Sequence, residues 1–215
     1  MVEVSVFRRQ LLAAAFLVGL AAATAGWTHA APPQTGSSPI DPHKVFGSKN
    51  APITMEVFSD FQCPACKTLY TGVWRQLFEN YVNTGKVYLI HRDFPLPVHA
   101  HSRDAARYAT AAARVGQFEA VERVLFEKQQ AWDASGDVDG TVAGVLTPAQ
   151  MKKVRDLVKS GAVDPEIDRD VTLGKSLGVG STPTCYITCK GQTYPVIGPQ
   201  SYQVFHEFLD QLLKQ

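Results

Sequence analysis

The stretch from Ile53 to Ile90 narrows the possible folds most. Ile53-Thr54-Met55-Glu56-Val57-Phe58 reads as a strand, ends at Ser59-Asp60-Phe61-Gln62, and is followed at once by Cys63-Pro64-Ala65-Cys66. Leu69, Tyr70, Val73, Trp74, Leu77, Phe78 and Tyr81 then recur at three- and four-residue spacing, which predicts an amphipathic helix with a wide apolar face. Gly85 stops it, and Val87 to Ile90 form a second strand running into Phe94-Pro95-Leu96-Pro97. A strand, a crossover helix and a strand make a parallel pair. The cysteines sit at its strand-to-helix junction.

Further along, helical signals run from about Ser102 to Leu177. Ala105, Tyr108, Ala109, Ala112 and Ala113 mark one helix, and Phe118, Val121, Val124 and Leu125 the next. Residues 133–144 read as a loop. Thr147-Pro148 and Asp164-Pro165 are helix starts, a capping side chain before proline, with Gly161 and Gly178 as stops. Thr184–Thr188 and Thr193–Ile197 are strands flanking the turn Cys189-Lys190-Gly191-Gln192, and Tyr202, Phe205, Phe208, Leu209 and Leu212 mark a closing helix. The order predicts an α/β sheet with a helical insertion. At 215 residues and 45% hydrophobic content the chain can bury one good core, and a net charge of +1 argues against a nucleic-acid partner.

Cys-x-x-Cys at a helix start has a definite use. Unpaired N–H groups and the positive end of the helix dipole favour a thiolate there, the attacking species in thiol–disulfide exchange. Cys63 is expected at that end, more exposed, with Cys66 one turn along and able to attack it. Two other readings stand beside this one. A structural disulfide would close a very small loop and gain little. A zinc cage could recruit Cys63, Cys66, Cys185 and Cys189. Cys185 and Cys189 are four steps apart on a strand, about 13 Å, too far to bond each other unless a bulge or turn folds the strand between them. Cys185, two residues past Pro183, reads as a buried small apolar residue, with a place near the redox centre as the alternative.

The first thirty residues carry Arg8 and Arg9, an uncharged run from Leu11 to Ala25, and small residues at Ala23-Thr24-Ala25 and Thr28-His29-Ala30. These are the three parts of a secretory signal peptide, with cleavage expected after Ala30; a retained anchor is the alternative. Removing Arg8, Arg9 and Glu3 leaves the remainder neutral. Residues 31–45 are expected to be a linker, and 46–215 the folded domain. Export to a periplasmic or extracellular compartment would let disulfides persist.

The sequences Glu56-Val57-Phe58-Ser59-Asp60-Phe61-Gln62-Cys63-Pro64-Ala65-Cys66, Arg92-Asp93-Phe94-Pro95-Leu96 and Gly180-Ser181-Thr182-Pro183-Thr184 together resemble the DsbA-like branch of the thioredoxin superfamily. The resemblance implies a thioredoxin fold with a helical subdomain, about 99–178, inserted between its βαβ and ββα halves. It implies an exported thiol–disulfide oxidoreductase, monomeric and without organic cofactor, that oxidises reduced or unfolded exported proteins. A membrane quinone-linked protein would reoxidise it. Pro183 matches the family's cis-proline, Thr182 the neighbour that influences the disulfide's poise, and Glu56 a buried acid beneath the pair that would carry a proton for Cys66. An outward-facing Glu56 is the alternative. Ala65 departs from the strongest oxidants of the family, which have a supporting group such as histidine between the cysteines. A reductase or isomerase is the alternative within the same chemistry.

The remaining candidates are weaker. His91, His99 and His101 could suggest a ligand cluster but have no accompanying acidic pattern. Gly174-Lys175-Ser176 echoes a phosphate loop, yet Arg169 stands where that motif needs glycine. Trp74 and Phe78 are expected in the core, and Trp132 either in a substrate groove or packed.

Overall fold

The computed structural model describes residues 39–215. The expected signal peptide, its cleavage site and most of the linker lie outside the described residues.

Five strands form one mixed sheet: β1 (Val45–Phe46), β2 (Ile53–Ser59), β3 (Val87–Asp93), β4 (Thr184–Cys189) and β5 (Gln192–Ile197), in the order β1-β3-β2-β4-β5. β2 and β3 are parallel, and the other pairings are antiparallel. The linker therefore ends earlier than expected. Val45 already pairs with Ile90, and the preceding Lys44 is buried in the core.

The crossover from β2 to β3 is helical throughout but not uniformly α-helical. Helix α1 (Pro64–Leu69) continues into a π turn at Tyr70–Trp74, a short α2 (Arg75–Leu77) and a second π turn at Phe78–Val82. Its apolar residues Leu69, Val73 and Leu77 pack on Val57, Met55 and Leu89 of the sheet. The closing helix α9 (Tyr202–Leu213) lays Phe205, Leu209 and Leu212 on the same face. Cys185 and Cys189 are fully enclosed in this cluster as small apolar residues, and both are free thiols.

The insertion comprises α3 (Ser102–Ala113), α4 (Phe118–Glu127), α5 (Gln129–Ser135), α6 (Val138–Ala143), α7 (Pro148–Ser160) and α8 (Asp164–Ser176). The stretch expected as a loop at 133–144 contains the end of α5 and all of α6. Gly136, at φ 75°, ends α5, and Asp137 caps α6 by accepting the Gly140 N–H at 2.8 Å. Thr147 caps α7 in a capping box with Gln150, as its sequence predicts. Asp164 does not cap α8, because its carboxylate instead accepts Arg103 and Arg107 from α3 at 3.0 and 2.9 Å. Gly174 has a packing role. A Cβ there would come within 2.5 Å of the Phe94 ring and 3.0 Å of Phe58, so glycine lets α8 lie against the sheet. Trp132 is buried in α5 and donates its indole N–H to the Leu125 carbonyl at 2.7 Å.

β3 runs three residues past the expected Ile90, through His91, Arg92 and Asp93, all buried. Charges survive burial only with partners, and these find them. Arg92 pairs with Glu56 at 2.8 Å and Asp170 at 2.9 Å. Lys44 meets Asp93 at 2.7 Å, Glu166 at 2.9 Å and Asp170 at 3.3 Å. Replacing Arg92 with methionine would strand Glu56 in the interior and leave Asp170 with Lys44 as its one cationic partner, and is expected to remove about 3–5 kcal/mol from urea-measured stability. A loss under about 1 kcal/mol would show that these carboxylates do not depend on the guanidinium.

Candidate redox site

The site is built where β2 ends. Asp60 organises the turn. One of its carboxylate oxygens accepts the Gln62 N–H at 2.8 Å and the Ser102 hydroxyl; the other accepts the Leu96 N–H at 2.9 Å and meets His99 Nδ1 at 2.7 Å. Gln62 holds the Asp133 carboxylate and receives the His101 N–H at 2.6 Å. Gln129 of α5 donates to the carbonyls of Phe61 at 2.7 Å and Cys63 at 3.0 Å. The turn is thereby fixed from the insertion side.

Cys63 is the N-cap residue of α1 with extended backbone (φ −73°, ψ 122°), and Pro64 occupies the first helical turn, where its missing N–H costs nothing. Cys63 is 7% exposed and Cys66 2%, the expected order, although both are largely enclosed. Cys63 Sγ lies 3.3 Å from the carbonyl oxygen of Thr182, and the Thr182-Pro183 peptide bond is cis. The segments around Cys63 and Pro183, 119 residues apart for the contacting pair, thus meet at one sulfur.

The two thiols differ in their electrostatics. The Cys66 thiol donating to the Cys63 sulfur lowers Cys63 to about 5 against the opposing effect of burial. Thr182 and the N–H groups of Cys66 and Ala65 add to that effect. Cys66 is pushed well above its ordinary value, first by burial and then by its neighbour Cys63. Ala65 contributes through its backbone, which explains how a thiolate is supported without a side chain at that position.

Glu56 is buried, so it does not face outward, but neither does it reach the cysteines. It stands on the sheet face of Phe58 and Tyr186, covered by α8, whereas Val57 and Ser59 share the face of α1 and Cys66. Its carboxylate is held by Arg92. Near Cys66 stand His91, which the sequence offered only as a possible ligand, and Glu122, which sequence reasoning missed; they join Nδ1 to Oε1 at 3.0 Å and line one small cavity with Cys66. The three histidines disperse, as the weak ligand reading implied they would: His91 to Glu122, His99 to Asp60, His101 beside Gly136. Nor do the four cysteines converge. Cys189 lies opposite Ile53, about 20 Å along β2 from the turn that carries Cys63.

A thioredoxin family model (Thioredoxin_4) matches residues 41–211. The chain is 24% identical over 165 residues to disulfide bond formation protein D of Bacillus subtilis, covering 73% of this chain and 72% of that protein. It is 30% identical over 161 residues to Na(+)/H(+) antiporter NhaA 1 of Mycolicibacterium gilvum, a match covering 73% of this chain but 25% of the antiporter. Among solved structures, alpha-DsbA1 of Wolbachia pipientis superposes with TM-score 0.66 at 20% identity, covering 79% of this chain and 89% of that one. BdbD of Bacillus subtilis, in its oxidised form, superposes with TM-score 0.65 at 21% identity over 80% and 93%. The chain belongs to the thioredoxin family, with a DsbA-type fold in which six helices separate the two halves of the sheet.

Proposed function

We propose that this protein is an exported protein-disulfide oxidoreductase that oxidises thiols of other exported proteins through a Cys63–Cys66 disulfide. The observation that carries this reading is the placing of the pair, with Cys63 at the N-cap of α1 and its sulfur 3.3 Å from the Thr182 carbonyl beside cis Pro183, and Cys66 buried one turn along. Cys63 is lowered to about 5 while Cys66 is raised. A thiolate stabilised in the dithiol form favours reduction of the enzyme, and hence oxidation of its partner.

In the forward direction a substrate thiolate attacks Cys63 Sγ. The Cys63–Cys66 bond breaks, and its electron pair leaves on Cys66. A second substrate thiolate then attacks the substrate sulfur of the mixed disulfide, expelling Cys63 as the stabilised thiolate. The redox equivalent is the disulfide itself, so no organic cofactor takes part. Pro183 and Thr182 frame Cys63 and present backbone beside it, the place for an extended substrate segment. Reoxidation falls to a membrane quinone-linked partner. The working unit is a monomer, exported by residues 1–30 with cleavage after Ala30.

Cys63→Ser is expected to abolish oxidation of a reduced model protein, and Cys66→Ser, given a substrate that already carries a disulfide, to accumulate the mixed disulfide on Cys63 because no second thiol is left to resolve it. Oxidation persisting in the Cys63 variant would overturn the assignment. The equilibrium potential against glutathione separates the two directions: a value towards about −120 mV marks a disulfide donor, and one towards about −270 mV a reductase.

The depressed Cys63 thiol also couples to stability. Between its folded value near 5 and its ordinary value of 9.0, the unfolded chain holds a proton that the folded dithiol form has released. Stability of the dithiol form, measured against the disulfide form, is therefore expected to rise with pH across that window and to be lost as pH falls through about 5. Thiolate absorbance at about 240 nm should titrate over the same low range. A midpoint near that of an ordinary thiol would refute the mechanism.

A further inference from the structure

Expelling Cys66 as a leaving group creates a problem that the exchange chemistry alone does not solve. Its sulfur is buried, and its thiol is held strongly on the protonated side. A proton must reach it when the disulfide opens and leave it when the disulfide re-forms. Glu56, on the opposite face and committed to Arg92, cannot serve.

Cys66 lines a small internal cavity with Ser59, Trp74, His91 and Glu122 among its walls. A separate surface groove of about 480 Å³ runs between the helix at 64–82 and α4, and is lined in part by Tyr70, Trp74 and Glu122. The three residues Tyr70, Trp74 and Glu122 are common to both spaces, and Glu122 is itself 1% exposed. Trp74 is 8% exposed, and its indole N–H has no partner among the described residues. A buried donor left over at a shared wall is what a polar passage would use.

We infer that Glu122 is the proton exchanger for Cys66, connecting the buried sulfur to solvent through the groove between the helix at 64–82 and α4. This rests on the oxidoreductase reading and deepens it. When the Cys63–Cys66 bond breaks, the electron pair on Cys66 takes a proton from the Glu122 carboxyl by way of the cavity. Glu122 regains one from solvent through the groove. In the reverse step the carboxylate takes the Cys66 proton. The thiolate then attacks Cys63, and the pair of electrons leaves on the departing sulfur.

The surroundings suit a carboxyl that trades protons. Burial raises Glu122, while the hydrogen bond from His91 opposes that rise. His91, although burial opposes it, is lifted to about 9 by Asp93 and Glu122, and Nδ1 is the ring nitrogen that meets Glu122. From the helix at 64–82 the titratable groups around Glu122 are Cys66, across the shared cavity, and Tyr70; from β3 they are His91 and Asp93; from α4 itself, Glu119. Arg75, Glu79, Arg123 and Glu127 rim the groove outside.

Glu122→Gln preserves volume and a hydrogen-bonding group for His91 but cannot exchange a proton. The informative measurement is the rate at which Cys66 resolves a Cys63–glutathione mixed disulfide, followed from pH 5 to 9 by rapid mixing. At pH 7 the variant should resolve at least tenfold more slowly than wild type, in the lower part of the roughly 10²–10⁴-fold range of general acid–base effects or just beneath it. Its rate should climb with pH as hydroxide removes the Cys66 proton, while the low-pH titration of Cys63 absorbance stays in place. Glu122→Asp should restore the shape of the wild-type profile. A Glu122→Gln profile matching wild type would overturn the inference while leaving the oxidoreductase reading intact. Should that variant not fold, infrared titration of the wild-type protein decides. The buried carboxyl stretch must titrate at different pH in the disulfide and dithiol forms, and identical midpoints would overturn the proposal. A wild-type pair that does not exchange with glutathione at all would bring down the oxidoreductase reading, and this inference with it.

Discussion

Three consecutive buried polar residues at the end of β3 govern how the rest of the chain must be arranged. His91, Arg92 and Asp93 point alternately to the two faces of the sheet, and each needs a counter-charge where it emerges. Asp93 draws Lys44 from the segment before β1, and Arg92 draws Glu56 from β2 and Asp170 from α8. Asp170 also accepts the Asp93 N–H at 3.1 Å, and Arg114 of the insertion holds Glu166 at 2.6 Å beside Lys44. These pairs join segments from the start of the folded domain, the sheet and both ends of the insertion. Apolar packing alone would tolerate small rotations of the insertion about the sheet. Discrete ion pairs tolerate them poorly, since a stranded buried charge costs several kcal/mol.

That arrangement also determines which carboxylate can serve the redox pair. Alternation along β2 sends Glu56 one way and Val57 and Ser59 the other. The sulfur of Cys66 belongs to the second face, where α4 supplies Glu122 and β3 supplies His91. Position in a motif therefore identified a buried acid correctly as buried and incorrectly as a neighbour of the thiol. One residue of strand register separates the two outcomes.

Much of the fold was legible because its signals are local. The β2 strand, the cysteine pair at the helix start, the β4–β5 hairpin and the α7 capping box all follow from adjacent residues. The hairpin closes more tightly than the pattern suggested, on Lys190 and Gly191 alone, both at positive φ. What stayed hidden was non-local. The extension of β3 through charged residues is intelligible only with Lys44, Glu122 and Asp170 in place. Helix α6 is short and follows Gly136, so composition read as loop while the Asp137 cap made a helix. Asp164 looked like a cap because nothing in the local sequence announces Arg103 and Arg107. Asp60 and Gln129, which hold the turn before Cys63, make their decisive contacts across 36 and 66 residues or more.

The site thus depends on long-range geometry even though its reactive cysteines are only three residues apart. A cysteine pair at a helix start provides a nucleophile, but the difference between its two thiols comes from elsewhere. Thr182 approaches Cys63 from the loop before β4 and sets its carbonyl oxygen 3.3 Å from the sulfur. The insertion seals Cys66 beneath Phe126 and Glu122 and so raises it. Enclosure makes Cys66 a poor leaving group unless a proton can follow it, so the same packing that differentiates the thiols creates the need for a buried acid. The insertion meets that need through the helix that does the enclosing. His91 occupies the junction, bonded to Glu122 and 3.4 Å from Asp93. One imidazole therefore joins the carboxyl beside the reactive sulfur to the charges that hold the domain together.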